Sequence, residues 1–194
     1  PGKKIYVIGM NGLKVALKEK GFKLVNELHP DLEKHHGIPE DVHADMVVMG
    51  WDTEMTFAKM RTGMMLILQG AEFYVTNEDY NFPVPGTLWP GTGAQVAYLA
   101  RALGEPPKKI FGKPQPDGIY TILKNLDLEK KDAVMIGDRF NTDIWAGNNA
   151  GVETVCIETG INTSADLENT PKDQHPNYVY PTLKDWFGDV FNSK

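Results

Sequence analysis

The fold is decided by the stretch Val134-Met-Ile-Gly-Asp-Arg-Phe-Asn-Thr-Asp-Ile144. The apolar residues 133–136 predict a short buried strand, and Gly137 allows a sharp backbone turn at its end. Asp138 then lies at the carboxyl edge of a parallel sheet, where open α/β folds place ligands. Asp143 follows in the first turn of the next predicted helix, near the positive end of the helix dipole.

Two carboxylates in this arrangement suit a hard cation, because Mg²⁺ is bound through one or two carboxylates together with water and phosphate oxygens. A purely structural interpretation is also open, with Asp138 as a helix cap and Asp143 as an exposed acid. The stretch Ile110-Phe-Gly-Lys-Pro-Gln-Pro116 favours the functional interpretation. It places Lys113 directly after a short apolar strand and before a helix, where its ammonium could reach a phosphate or a neighbouring carboxylate.

Composition describes an acidic globular chain. Its 194 residues are 41% hydrophobic and 24% charged, which is ordinary for one or two globular domains. The net charge of −6 and the pI near 5.4 argue against nucleic acid or an anionic membrane surface as a partner. The single cysteine, Cys156, excludes an internal disulfide and fits a cytoplasmic protein. No apolar run approaches the ~20 residues of a membrane span.

Hydrophobic periodicity predicts two α/β parts. Residues 3–106 contain predicted strands at 5–8, 22–25, 46–49 and 72–75, with helices between them. Pro106-Pro107 predicts the domain boundary. Residues 107–194 are predicted to form a βαβ unit around the strand 133–136. Two local expectations are that Thr53 caps a helix over 53–69 and that the proline-rich residues 83–90 belong to a long loop.

These motifs together resemble the haloacid dehalogenase (HAD) superfamily, and its NagD-like phosphatases most closely. The resembling motifs are Gly-Lys-Pro at 112–114, Gly-Asp-Arg-x-x-Thr-Asp-Ile at 137–144, Ala-Gly-x-x-Thr-Val at 150–155, Val-Thr-Asn-x-Asp at 75–79 and Pro-Gly-Thr-Gly-Ala at 90–94. The resemblance runs from Ile5 to about Ile157. It implies the α/β class, with a HAD-like Rossmannoid core, of which residues 107–194 are the C-terminal half, and an α/β cap domain over residues 3–106.

The resemblance also implies an activity, the Mg²⁺-dependent hydrolysis of a phosphate monoester of a sugar or another small organic metabolite. Asp138 is then expected to bind Mg²⁺. Asp143 is expected to support the metal shell or hold Lys113, and Lys113 to restrain the nucleophile and offset phosphate charge.

The cap loop is expected to contribute substrate contacts. By the resemblance, Thr76, Asn77 and Asp79 meet the leaving group of the substrate or the loop that orders around it. A simple turn is the structural alternative, because Asn and Asp bond their own backbone. The resemblance further implies that a homodimer is possible.

One family motif has no counterpart in this sequence. The opening strand followed by Asp-x-Asp-Gly, which carries the nucleophile and the acid/base in HAD phosphatases, is absent, and so is the strand ending in Ser or Thr before the cap. Without the nucleophile strand, the strand 133–136 would have an open edge, and each buried unpaired backbone group costs on the order of 1–3 kcal/mol. We therefore expect a missing N-terminal segment, cleaved or lost, or a second chain that completes the core sheet, and an inactive 194-residue chain.

Two other functions are weighed beside this one. A non-catalytic binding or interaction module derived from such a phosphatase would keep the cap and lose the nucleophile. An unrelated nucleotide-binding α/β protein is disfavoured, because the sequence has neither a G-x-x-x-x-G-K-[ST] motif nor a G-x-G-x-x-G directly after a strand.

Overall fold

The computed structural model describes residues 2–192, which form two compact units. The first unit ends at Phe111 and the second begins at Gly112. The predicted boundary at 106/107 precedes this division. The reason is that the short strand expected to open the second part instead pairs with the first unit's sheet, with Tyr74 opposite Lys109 and Val75 opposite Ile110.

In its described residues, from 2 to 111, the first unit contains seven strands and four α-helices. The strands are β1 (Lys4–Ile8), β2 (Lys23–Leu24), β3 (Met46–Met49), β4 (Glu72–Val75), β5 (Asn81–Val84), β6 (Thr87–Pro90) and β7 (Lys109–Ile110). The helices are α1 (Asn11–Glu19), α2 (Val25–Leu28), α3 (Phe57–Leu68) and α4 (Thr92–Leu103). Five of the strands form a parallel sheet in the order β2-β1-β3-β4-β7.

Helices pack on both faces of this sheet. Met60 and Leu66 of α3 and Leu99 of α4 share one core cluster with strand residues such as Tyr6 and Val47. The opposite face packs α1 against Ile5, Val7 and Leu24 through Leu13 and Leu17. The α/β expectation is thereby confirmed. The carboxyl ends of β3 and β4 place residues 50–53 and 76–79 at one edge of the sheet.

Two local expectations for this unit are wrong. Thr56, not Thr53, caps α3, since its hydroxyl oxygen accepts the Lys59 N–H at 3.1 Å. Residues 81–90 are not a loop but an antiparallel hairpin, in which Asn81 is opposite Pro90. Within residues 2–192, β5 and β6 pair only with each other. Each strand of a lone hairpin has an open side, which a proline without an N–H can occupy.

The second unit contains a three-stranded parallel sheet in the order β10-β9-β8. Its strands are β8 (Val134–Gly137), β9 (Glu153–Ile157) and β10 (Tyr178–Tyr180), and its helices are α5 (Asp117–Leu126), α6 (Trp145–Ala150) and α7 (Leu183–Asn192). Leu123, Ala150 and Val152 form a core under one face, and Phe140, Ile144 and Cys156 form a second cluster. Strand β8 is one of the two edge strands of this sheet among the described residues.

No helix within residues 2–192 combines the length and the apolar character that crossing a membrane requires.

Candidate active site

The end of β8 brings two carboxylates close together. Gly137 is the last residue of the strand and pairs in register with Cys156 of β9. A side chain at position 137 would place its Cβ 2.2 Å from the Cβ of Asp143. Only glycine allows this approach, so Gly137 is required by the position of Asp143 as well as by the turn.

The segment after β8 is a π-helical turn over Phe140–Ile144, followed by α6. The sequence predicts an ordinary helix here, with Asp143 in its first turn. In the structure the Arg139 carbonyl accepts N–H groups from both Asp143 (3.0 Å) and Ile144 (3.2 Å). The wider turn points Asp143 back at the strand end, and single π turns are common at functional sites.

Asp143 is buried, with 6% of its surface exposed, and both of its carboxylate oxygens have partners. Oδ2 accepts the backbone N–H groups of Asp138 (3.3 Å) and Arg139 (3.2 Å). Oδ1 forms an ion pair with the Lys113 ammonium. A buried charge needs such pairing and hydrogen bonds. Asp143 therefore holds both the Asp138 turn and the lysine.

Lys113 reaches this carboxylate from the segment that joins the first unit's last strand to α5. Asn149 of α6 donates a hydrogen bond from Nδ2 to the Pro114 carbonyl at 3.0 Å, which anchors the segment. The Lys113 side chain is 50% exposed. Its ammonium is thus held at one end by Asp143 and open to solvent elsewhere.

Asp138 presents its carboxylate differently. Oδ2 accepts the Ile161 N–H at 3.0 Å, and the Asp138 carbonyl accepts the Asn162 N–H at 2.9 Å. Among the described residues no hydrogen bond is made to the other carboxylate oxygen, Oδ1. Asp138 is partly exposed, so Oδ1 is the oxygen that an external ligand would meet.

These groups fit Mg²⁺ as a partial site. All of the donors are oxygens, which suits a hard cation, and Mg²⁺ commonly takes only one or two protein carboxylates. Within residues 2–192 no group of three or more His, Cys, Asp or Glu side chains is arranged to hold a metal. Asp138 can therefore supply one ligand, while Asp143, engaged on both oxygens, acts as its support.

Thr76, Asn77 and Asp79 form a separate cluster in the first unit, after β4. Asn77 donates from Nδ2 to Asp79 Oδ2 at 3.3 Å, and Asn77 Oδ1 is buried without a hydrogen-bond partner among the described residues. The N-terminus of α4 supports the loop, since the N–H of Gly93 donates to the Asp79 carbonyl at 2.9 Å. A Cβ at Gly93 would lie 2.2 Å from a backbone oxygen of this loop.

Sequence reasoning missed two residues of the Asp138 environment, Gly160 and Asn162. Both lie in the loop after β9, which carries no periodic pattern. Their position in the chain could have indicated them, because β9 lies beside β8 and the loop that follows it must pass the same edge of the sheet.

Known proteins resemble this chain over nearly its whole length. Residues 110–186 match the HAD-hydrolase-like family model. The acid sugar phosphatase of Staphylococcus aureus (strain USA300) is 34% identical over 190 residues, which cover 98% of this chain and 67% of that protein.

Solved structures agree with this relationship. The p-nitrophenyl phosphatase of Archaeoglobus fulgidus superposes with a TM-score of 0.80 at 28% identity, over 97% of this chain and 68% of that one. The glycerol phosphate phosphatase of Mycobacterium tuberculosis, solved with calcium, gives a TM-score of 0.83 at 26% identity over 95% of this chain and 50% of that one. With this sequence similarity and this fold, the chain belongs to the HAD superfamily of hydrolases, among its NagD-like phosphatases.

Proposed function

We propose that this chain serves the Mg²⁺-dependent hydrolysis of phosphate monoesters of sugars or other small organic molecules. The observation that carries the proposal is that Asp143 pairs with Lys113 and also accepts the backbone N–H of Asp138, the candidate cation ligand. Relatives described as acid sugar, p-nitrophenyl and glycerol phosphate phosphatases support the substrate class. We expect the protein to work in the cytoplasm.

Each residue of this group has a distinct part. Asp138 would hold the cation through Oδ1, and a bound Mg²⁺ would offset the charge of the phosphate oxygens. Lys113 supplies a second positive charge from a half-exposed position. Asp143 holds the Lys113 ammonium and the backbone N–H groups of residues 138 and 139 in place before any substrate binds. Such positioning and charge stabilisation are the main sources of rate in phosphoryl transfer.

The nucleophile is a separate matter, because the 194 residues contain no Asp-x-Asp-Gly. We propose that polypeptide other than these residues supplies it, either as an N-terminal segment or as a second chain. Strand β8 supports this, since it is an apolar edge strand with Val134 39% exposed, and an exposed strand edge is a template for pairing. The chain by itself is then expected to lack turnover.

The polar loop of the first unit is proposed to meet the organic part of the substrate. Thr76, Asn77 and Asp79 offer a hydroxyl, an amide and a carboxylate, which match the hydroxyl groups of a sugar phosphate or glycerol phosphate. Asn77 Oδ1 is buried without a hydrogen-bond partner in the described part of the chain, which supports this role, because such groups normally have a partner in native proteins. A homodimer is a further expectation, which native mass spectrometry would test.

A titration tests the cation site directly. Mg²⁺ is added to the ¹⁵N-labelled chain while amide chemical shifts are followed. We expect saturable shifts confined to residues 137–143 and 161–162, and their loss in Asp138→Asn. Shifts of equal size in Asp138→Asn would refute the cation site.

Turnover tests the nucleophile. The purified chain is assayed with p-nitrophenyl phosphate and a panel of sugar phosphates in Mg²⁺, and no hydrolysis above the buffer rate is expected. Hydrolysis that Asp138→Asn abolishes would overturn the proposal that the nucleophile lies elsewhere.

The absent Asp-x-Asp-Gly also favours a second candidate, a non-catalytic binding module. The two functions differ in what the natural protein contains. Intact mass measurement of every polypeptide in the natural complex, first denatured and then native, distinguishes them. A bound polypeptide with Asp-x-Asp-Gly supports the phosphatase, whereas ligand binding by a complex without it supports the module.

A further inference from the structure

The loop after β9 holds the Asp138 turn through three hydrogen bonds. The Ile161 N–H donates to Asp138 Oδ2 at 3.0 Å, and the Asn162 N–H donates to the Asp138 carbonyl at 2.9 Å. In return, the Phe140 N–H donates to Asn162 Oδ1 at 2.9 Å. The loop thus contacts the side chain of Asp138, its main chain, and the residue two positions later.

Gly160 permits this contact. A Cβ at position 160 would lie 2.2 Å from both the Cβ and Oδ2 of Asp138. Because the Cβ of Asp138 is fixed to its backbone, a rotamer change cannot remove the collision. The residue before Ile161 must be glycine for the Asp138 carboxylate to keep its place.

The loop is also organised independently of Asp138. Asp166 Oδ2 accepts the Thr163 N–H at 2.8 Å and the Asn162 Nδ2 group at 3.3 Å. Glu158 Oε1 accepts the Ser164 N–H at 2.7 Å. The Ile161 N–H, which donates to Asp138, is therefore held in place by its own loop.

We propose that residues 160–162 position Asp138 as a one-oxygen ligand, with Oδ2 held by the Ile161 N–H and Oδ1 directed to the cation. Gly160 and Asn162 are positioning residues, which act through Asp138 and contact neither substrate nor cation. This inference rests on the proposed function of Asp138. The physical reason is that Mg²⁺ demands near-octahedral geometry. A carboxylate restrained to one free oxygen therefore suits Mg²⁺ better than a freely rotating one. Groups that hydrogen-bond to a metal ligand commonly set its orientation.

Direct cation binding tests the inference without any need for turnover. The Mg²⁺ dissociation constant is measured by amide NMR titration for the full chain and for Gly160→Ala, Asn162→Ala and Asp138→Asn. We expect about a tenfold rise for Gly160→Ala and Asn162→Ala, the usual range for loss of a group that supports a metal ligand. The amide resonance of Asp138, which is far in sequence from both substitutions, should shift in both variants before any Mg²⁺ is added, as a signature of its altered contact with the loop.

Matched controls come from the same unit. Gly118→Ala makes the same change in α5, where an added Cβ has nothing within 4 Å. Asn125→Ala removes an exposed amide from the same helix. Both controls should keep the Mg²⁺ affinity and the Asp138 amide resonance of the unmodified chain.

The outcomes separate the inference from the function on which it rests. If Asp138→Asn binds Mg²⁺ as the unmodified chain does, the cation site itself is refuted. If Asp138→Asn loses binding while Gly160→Ala and Asn162→Ala match their controls, only the positioning role is overturned. If Gly160→Ala does not give a folded amide spectrum, Asn162→Ala decides alone, because it removes a side-chain acceptor without adding an atom.

Discussion

Substitution of Asp143 separates two contributions that its carboxylate makes. Asp143→Asn keeps an oxygen that can accept the N–H groups of Asp138 and Arg139, but removes the negative charge that faces Lys113. Asp143→Ala removes the acceptor as well, and leaves the two N–H groups at a site where the native side chain is 6% exposed. The Asn variant therefore reports the charge, and the difference between the variants reports the hydrogen bonds.

The structure sets the expected magnitudes. The Lys113 side chain is 50% exposed, so its ion pair is screened by solvent, and we expect ~0.5–1 kcal/mol from it. An acceptor lost from a buried donor costs about 1–3 kcal/mol. The two N–H distances of 3.3 and 3.2 Å are long, which favours the lower end, or about 2 kcal/mol for the pair. We therefore expect the free energy of unfolding to fall by ~1 kcal/mol in Asp143→Asn and by ~3 kcal/mol in Asp143→Ala.

Urea unfolding followed by the NMR intensities of amides in β8 and β9 measures the free energy of unfolding of the second unit. Asp173→Asn is the control, because its carboxylate is exposed and lies in the same unit. Equal losses for Asp143→Asn and Asp143→Ala would refute the role given to the two N–H groups. Losses for both that match Asp173→Asn would refute the support role of Asp143 altogether.

Three further predictions concern local contacts within the two units. Gly93→Ala should destabilise the first unit by ~1–3 kcal/mol through overpacking, since the added Cβ would lie 2.2 Å from a backbone oxygen. Gly12→Ala is the control, because its added Cβ has nothing within 4 Å. Urea unfolding compares the free energies of unfolding of the two variants. Thr56→Ala should cost ~1 kcal/mol as a lost helix cap, and a larger loss for Thr53→Ala would contradict the assignment. Burial raises the pKa of the Cys156 thiol to about 11, so iodoacetamide at pH 8 should modify it only after unfolding, and rapid native labelling by mass spectrometry would contradict its burial.

The sequence was a good guide wherever a local pattern was strong. The strands β3 and β4 begin and end at the predicted residues, because short apolar runs bounded by glycine or polar residues mark buried strands. The motifs alone indicate Lys113, Asp138 and Asp143 as site residues. The structure brings these three together in one unit.

Local patterns misled where two signals conflicted or none existed. Prolines in residues 81–90 indicated a loop, yet a lone hairpin accepts proline on its open sides. The π turn over Phe140–Ile144 has the composition of an ordinary helix start, and its extra residue per turn is invisible in the sequence. The strand at 109–110 is two residues long, so its pairing with β4 could not be inferred from periodicity.

By itself, the sequence determined the α/β class, the family and the residue types at the site, because each is written in short contiguous motifs. Only the tertiary structure decided that the Ile161 N–H binds Oδ2 of Asp138 and leaves Oδ1 for a ligand. It also decided that Asp143 pairs with Lys113. These contacts join residues 23 and 30 positions apart, respectively. No local periodicity encodes such a contact. The Asp138–Ile161 contact arises because β8 and β9 end at the same edge of one sheet, and the Lys113–Asp143 contact joins segments that lie outside any shared strand pairing. The requirement for glycine at position 160 is likewise visible only in the tertiary structure, because it depends on the close approach of Asp138.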